Sequence, residues 1–105
     1  MNNLTHFVFN NKSHDSVGGQ PTCAPDLSLS HIAKSLGYVN ALTVLSVKEL
    51  EKVLRSTNEL MGSTFVEIIC DRGNRANLGR PTNSPKENLK IFSSFLKYRV
   101  HDEQA

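Results

Sequence analysis

"TFVEIIC", residues 64–70, is the stretch on which the fold turns. β-Branched and aromatic side chains fill most of it, which predicts a strand. The apolar character runs on without strict alternation, as in strands of a parallel sheet covered on both faces. One acid, Glu67, interrupts the run; neither it nor Asp26 is given a role by the pattern.

The flanking segments complete the arrangement. Ser46-Val47-Lys48-Glu49 is a capping box, serine and glutamate each satisfying an orphan amide of a first helical turn. Val47, Leu50, Val53, Leu54, Leu60 and Met61 carry that helix over 47–61, up to Gly62. Before it, Val39, Leu42, Val44 and Leu45 predict a strand over 39–45. Leu29, Ile32, Ala33 and Leu36 share one face of a helix over 28–36, with Ser28 to cap its start and Gly37 its end. Leu4-Thr5-His6-Phe7-Val8-Phe9 predicts a first strand over 4–9. Downstream, Ser84-Pro85-Lys86-Glu87 is a second capping box with proline at the first helical position. It opens a helix over 85–97 whose buried stripe is Leu89, Phe92, Phe95 and Leu96, followed by a frayed polar tail, His101 to Ala105.

Strand and helix alternate three times, which predicts a parallel α/β sheet with right-handed crossovers. Three parallel strands make a poor independent domain. The 4–9 and 64–70 strands read as central ones, and an open edge on either invites association. The expectation is a partial doubly wound, Rossmann-like sheet, βαβαβα, across residues 1–105, aggregation-prone or oligomeric by itself.

Composition narrows the function. A chain of 105 residues with 38% hydrophobic and 21% charged content suits one small globular domain. A net charge of +2, with bases and acids intermixed, offers no footprint for nucleic acid or an anionic membrane. No apolar stretch approaches a membrane span, and Met1-Asn2-Asn3 begins nothing like a secretory signal, so the expected setting is cytoplasmic. Cys23 and Cys70 lack ligand spacing and are expected to be free, packed thiols.

The chemistry concentrates in "NNKSHDSVGGQPT", residues 10–22, which leaves the carboxyl end of the first strand. That is where open α/β sheets place their ligands. Amide oxygens and backbone carbonyls are hard donors suited to Mg²⁺ or Ca²⁺. Gly18 and Gly19 permit positive φ and close approach of an anion to the backbone. The competing reading is an asparagine-rich turn whose side chains bond their own backbone.

Three segments in order, "FNNKSHDSVGGQPT", "HIAKSLGY" and "EIICDRGNRANLGRPTNSPKEN", resemble the thiamine diphosphate-dependent decarboxylases. Within them the likeness is to the phosphonopyruvate decarboxylases and, more distantly, the sulfopyruvate decarboxylases. It runs from about Leu4 to about Lys97 and corresponds to the C-terminal part of the diphosphate-binding domain. The resemblance implies that Asn11 gives a side-chain ligand and Ser13 a main-chain ligand to the Mg²⁺ that clamps the cofactor diphosphate. Asn10 supports the turn, and Gly18, Gly19 and Gln20 line the cofactor. Lys12 and Ser13 stand where relatives often have glycine and alanine. The family's Gly-Asp-Gly element and its pyrimidine-binding domain have no counterpart in these residues, so a companion chain or an N-terminal segment is expected to complete the site.

His14 lies, by resemblance, near the reactive end of the cofactor, where an imidazole can bond substrate or pass protons; the alternative is a loop histidine bonded to backbone. Gln20 either orients substrate or fixes the loop. Arg80, inside "LGRPT", matches the family pattern and suits an anionic head group on a 2-keto acid. Arg72 and Arg75 favour a solvated or interface-pairing role, and His6 and His31 a structural one. The implied activity is decarboxylation of phosphonopyruvate to an aldehyde and carbon dioxide, with sulfopyruvate or another 2-keto acid as alternatives. The other function class is non-catalytic: a truncated remnant or an association module.

Overall fold

The computed structural model describes residues 3–23 and 26–102; the end of the polar tail, residues 103–105, lies outside the described residues. The chain divides into two compact units, Met1–Gly73 and Asn74–Ala105.

The first unit holds β1 (Thr5–Asn10), β2 (Ser13–His14), β3 (Gln20–Pro21), α1 (Leu29–Ser35), β4 (Asn40–Val44), α2 (Val47–Ser56) and β5 (Thr64–Ile69). β1, β5 and β4 form a three-stranded sheet in that order, both pairings parallel. Thr5 lies opposite Thr64 and Asn10 opposite Ile69, while Asn40 lies opposite Thr64 and Val44 opposite Ile68. The parallel α/β sheet expected from the sequence is the one observed. β5 is the central strand, and every residue from Thr64 to Ile68 is buried.

The first strand has the open side that the reading of a partial sheet expects. Among the described residues β1 pairs only with β5, so it is an edge strand. Thr5, His6 and Phe9 are exposed, Phe9 at 69%. A six-residue apolar run reads alike at the centre and the edge of a sheet; only strand order separates them, and here β5 takes the centre.

Side chains alternate across the strands. On one face Val44, Val66 and Ile68 form the core, with Phe7 of β1 and Leu50 and Val53 of α2 packed against it. Burying a side chain such as that of Val66 is worth about 1.5–3 kcal/mol. On the other face, Phe65 and Glu67 lie level with His6 and Val8 of β1 and with Ala41 and Thr43 of β4. His6 meets Phe65 edge-on at 5.2 Å and bonds Tyr38 through Nδ1 at 3.2 Å, an aromatic patch at the amino ends of the strands.

α1 starts as expected, with Ser28 Oγ accepting from His31 N at 3.3 Å, and Gly37 closes it at φ 97°. The Tyr38 and Gly37 amides reach back to the Ala33 and Lys34 carbonyls, a Schellman closure. Its buried face is shifted from the predicted stripe: Ser30 and Ala33 are buried, whereas Ile32 and Leu36 are exposed. The cause is polar. Ser30 turns to the sheet to bond Glu67 and Thr43, and it carries the helix round with it.

α2 ends at Ser56 rather than at residue 61. Ser56 and Thr57 hydroxyls bond the Val53 and Leu54 carbonyls and stop the helix, leaving Met61 exposed. Its capping box is also displaced: Ser46 Oγ accepts from Glu49 N, but Glu49 reaches back to the Leu45 amide at 2.8 Å.

In the second unit α3 (Pro85–Asp102) runs five residues beyond the predicted end at Lys97, through His101 and Asp102 of the expected tail. Its capping box forms as read, Ser84 Oγ accepting from Glu87 N while Glu87 accepts from Ser84 N at 2.7 Å. Leu89, Phe92, Phe95 and Leu96 are exposed, not buried. A lone helix has no opposing layer within its own unit to cover such a stripe.

Candidate functional site

The site grows from the carboxyl end of β1. Asn10 Oδ1 accepts from Lys12 N at 3.0 Å, and Asn11 Oδ1 from Ser13 N at 3.1 Å, two successive asparagine turns. Between them Lys12 sits at φ 58°, the left-handed region, which costs a side-chain-bearing residue about 1–2 kcal/mol. This is a position where the resemblance expects glycine. The chain then forms an antiparallel ribbon, Ser13 opposite Pro21 and His14 opposite Gln20, closed by Gly19 N to His14 O at 3.0 Å and Thr22 N to Lys12 O at 3.1 Å. A single 3-10 turn, Asp15–Val17, ends on Gly18 at φ 91°. At Gly19, φ 73°, a Cβ would run into the Arg72 guanidinium. The glycine pair therefore serves the turn and the approach of an arginine. The sequence reading gave 10–22 as loop; two-residue strands are too short for alternation to reveal.

Asp15 ties the ribbon down. Its Oδ2 accepts from Asn11 Nδ2 at 2.9 Å and from Gly73 N at 3.0 Å. Its Oδ1 accepts from Ser13 Oγ at 3.1 Å and faces Arg72 Nε at 3.5 Å. The Gly73 amide foremost holds this carboxyl below the ordinary carboxylate range; partial desolvation opposes it, and Ser13 and Arg72 add to the lowering. Four donors occupy the two oxygens, which is the capacity of a carboxylate.

A second network lies deeper. Asn10, 6% exposed, donates Nδ2 to Glu67 Oε1 at 2.8 Å. Glu67, 2% exposed, accepts from Ser30 N at 3.3 Å on its other oxygen, and Ser30 Oγ lies 2.7 Å from Thr43 Oγ1. A cleft of about 170 Å³ opens onto this network between Lys12, Ser28, Thr43 and Ile69. A wider one, about 330 Å³, runs along Phe9, Asn11, Ser13 and Thr22. Sequence reasoning missed Glu67. The signal was one acid inside an otherwise apolar strand.

The structure thus brings Asn10, Asn11, Ser13, His14, Gly18, Gly19 and Gln20 onto one ordered ribbon. His14 and Gln20 are exposed and stand opposite each other. Arg72 joins them by pairing with Asp15, while Arg80 lies in the second unit, exposed. Cys23 and Cys70 are free, as expected, but exposed rather than packed. Both follow strand ends, where the chain leaves the sheet.

Two oxygens on this ribbon suit a hard cation. The Asn11 amide oxygen keeps a second acceptor position beyond its turn bond. Lys12 and Thr22 are bonded across the ribbon, so Ser13 and Pro21 form its non-hydrogen-bonded pair and the Ser13 carbonyl points away from the partner strand. No group of three or more His, Cys, Asp or Glu among the described residues could hold a metal, and Asp15 is spent on its four donors. The donor set is neutral, of the hard-oxygen kind that could serve a divalent cation.

The parallel sheet is that of a partial Rossmann-like α/β fold, and the ribbon leaves it at the carboxyl end of β1. The chain is similar to the phosphonopyruvate decarboxylase of Streptomyces viridochromogenes, 33% identical over 94 residues, or 90% of this chain and 24% of that protein. It is 32% identical over 93 residues to the phosphonopyruvate decarboxylase of Streptomyces hygroscopicus, covering 89% of this chain and 23% of the relative. The chain spans about a quarter of the length of the curated relatives it matches. No family model matches it. No solved structure gives a significant match.

Proposed function

We propose that the chain is the C-terminal part of the diphosphate-binding domain of a thiamine diphosphate-dependent 2-keto acid decarboxylase, with phosphonopyruvate as substrate. One observation carries the reading: two hard oxygen donors, Asn11 Oδ1 and Ser13 O, are presented by consecutive asparagine turns at the carboxyl end of a parallel strand. Similarity to two enzymes named for that decarboxylation, over nine-tenths of the chain, supports the substrate class.

In this reading Asn11 and Ser13 hold one side of the Mg²⁺, and a carboxylate from a companion segment or chain holds the other. When bound, thiamine diphosphate supplies the nucleophile and the electron sink that the decarboxylation needs. The chain's own groups bind and orient. His14, exposed opposite Gln20, moves a proton at the reacting end, and Gln20 orients the keto acid. The open edge of β1 pairs with the companion, giving an oligomer.

The test is carbon dioxide release from phosphonopyruvate by the assembly that contains this chain, with and without thiamine diphosphate and Mg²⁺. Release dependent on both, and faster with phosphonopyruvate than with sulfopyruvate, is expected. Efficient turnover of sulfopyruvate alone reassigns the substrate. No turnover of any 2-keto acid by an assembly that binds the cofactor leaves the remnant or association module as the function.

A further inference from the structure

We propose that Glu67 is the positioning residue of the metal-holding ribbon: through Asn10, its buried carboxylate sets the turn that presents Asn11 and Ser13. The proposal rests on the Mg²⁺–diphosphate reading of the ribbon.

Glu67 lies at the middle of the central strand, 2% exposed, level with Val8 on one side and Thr43 on the other. Its hydrogen bonds are to Asn10 Nδ2 and Ser30 N, and the Asp15–Arg72 contact is the one ion pair among the described residues. A buried carboxylate without a cation is costly to desolvate, by several kcal/mol. Glutamine would fill the same volume at less cost. It cannot do the same work, because one of its two terminal atoms is a donor, and two N–H groups have to be accepted here.

What those two acceptors achieve can be followed bond by bond. Accepting from Asn10 Nδ2 fixes which way round the amide stands, Nδ2 inward and Oδ1 outward. Oδ1 is thereby aimed at the Lys12 amide, 3.0 Å away, and that bond closes the turn in which Lys12 adopts φ 58°. Lys12 in the left-handed region lets the next turn form, Asn11 Oδ1 to Ser13 N. Were the Asn10 amide reversed, Nδ2 would face the Lys12 N–H, donor against donor, and the turn would open. Glu67 touches neither proposed metal ligand, so its effect passes through Asn10. The second acceptor fixes Ser30 and so seats α1 beside the same strand ends.

The polarity of the relay can be exchanged. In Glu67→Gln with Asn10→Asp, the new amide donates to one oxygen of the new carboxylate, while its own oxygen accepts from Ser30 N. The second carboxylate oxygen still accepts from Lys12 N. The experiment compares Glu67→Gln, Asn10→Asp and this double exchange in the intact assembly. Amide hydrogen exchange at Lys12 and Ser13 is measured against core amides of β5, and Mn²⁺ binding is followed by electron paramagnetic resonance with thiamine diphosphate present. Glu67→Gln is expected to speed Lys12 exchange about tenfold relative to the core amides and to weaken Mn²⁺ binding about tenfold. The double exchange is expected to restore both to within about threefold of the unaltered chain. Lys12 exchange that merely follows the core amides in Glu67→Gln means a general loss of stability and overturns the proposal. So does a double exchange that restores nothing. Should Glu67→Gln not fold, the double exchange still has to fold with native Lys12 protection, and its failure overturns the proposal equally. Absence of Mn²⁺ binding in the unaltered assembly overturns the cofactor reading instead, and the exchange rates then decide separately whether the relay exists.

Discussion

The loop after β1 is held at two ends by two polar networks built from the same kinds of bond. At its root Asn10, Glu67 and Ser30 are buried under α1. At its tip Asp15, Arg72 and Gly73 meet at the surface, with Arg72 62% exposed. Water competes for every bond of the second network and for almost none of the first. A hydrogen bond broken at the tip is replaced by water; one broken at the root leaves an orphan. The root should therefore govern whether the ribbon forms, and the tip only where it rests.

The largest expected effect breaks the root. Glu67→Ala leaves the Asn10 and Ser30 donors without partners and should cost about 3 kcal/mol in denaturant unfolding. Asp15→Ala, which removes four bonds against two, should nevertheless lower the midpoint by much less. Equal losses would show that burial does not separate the networks. Next in size, Gly19→Ala places a Cβ at φ 73° against the Arg72 guanidinium and should cost about 1 kcal/mol. It should also release Arg72 from Asp15, visible as loss of the Arg72 Nε proton signal. Lys12→Gly acts in the opposite direction: removing the left-handed strain should stabilise the chain by about 0.5–1 kcal/mol in the same unfolding assay. A loss of stability there would mean that the Lys12 side chain does more than occupy a strained position.

The smallest effect is one of pH. The Asp15 carboxyl is held below the ordinary carboxylate value of about 3.9, chiefly by the Gly73 amide. A lowered native value means that its contribution is fully present above the unfolded value and is lost as pH falls through the native one. The Gly73 amide shift should thus stay constant from neutral pH down to the ordinary carboxylate range and move only below it. Asp15→Asn should abolish that movement.

How far the sequence could be read follows from the same contrast. The order of elements and the parallel sheet were legible, because β-branched runs and capping serines are local signals. Glu67, Ser30 and the rotated face of α1 were not, because a buried polar contact joins residues 37 positions apart and leaves no periodicity. The open side of β1 was legible from the partial βαβαβα order, whereas the place of β5 between β1 and β4 is a property of the whole sheet. In the ribbon, the asparagine pair and the glycine pair were visible as chemistry. Asp15 as their anchor was not, since its partner amide lies 58 positions away.

The most direct test of the central claim, that this ribbon grips the metal and diphosphate of thiamine diphosphate, is titration calorimetry of thiamine diphosphate with Mg²⁺ on the intact assembly carrying Asn11→Ala or Ser13→Ala. Asn11→Ala removes a side-chain ligand and should weaken binding sharply. Ser13→Ala keeps its main-chain oxygen and should change binding little, its lost hydroxyl bond to Asp15 lying at the exposed end of the ribbon. Unchanged binding in Asn11→Ala together with lost binding in Ser13→Ala would contradict the assignment and leave the ribbon holding its ligand by other groups.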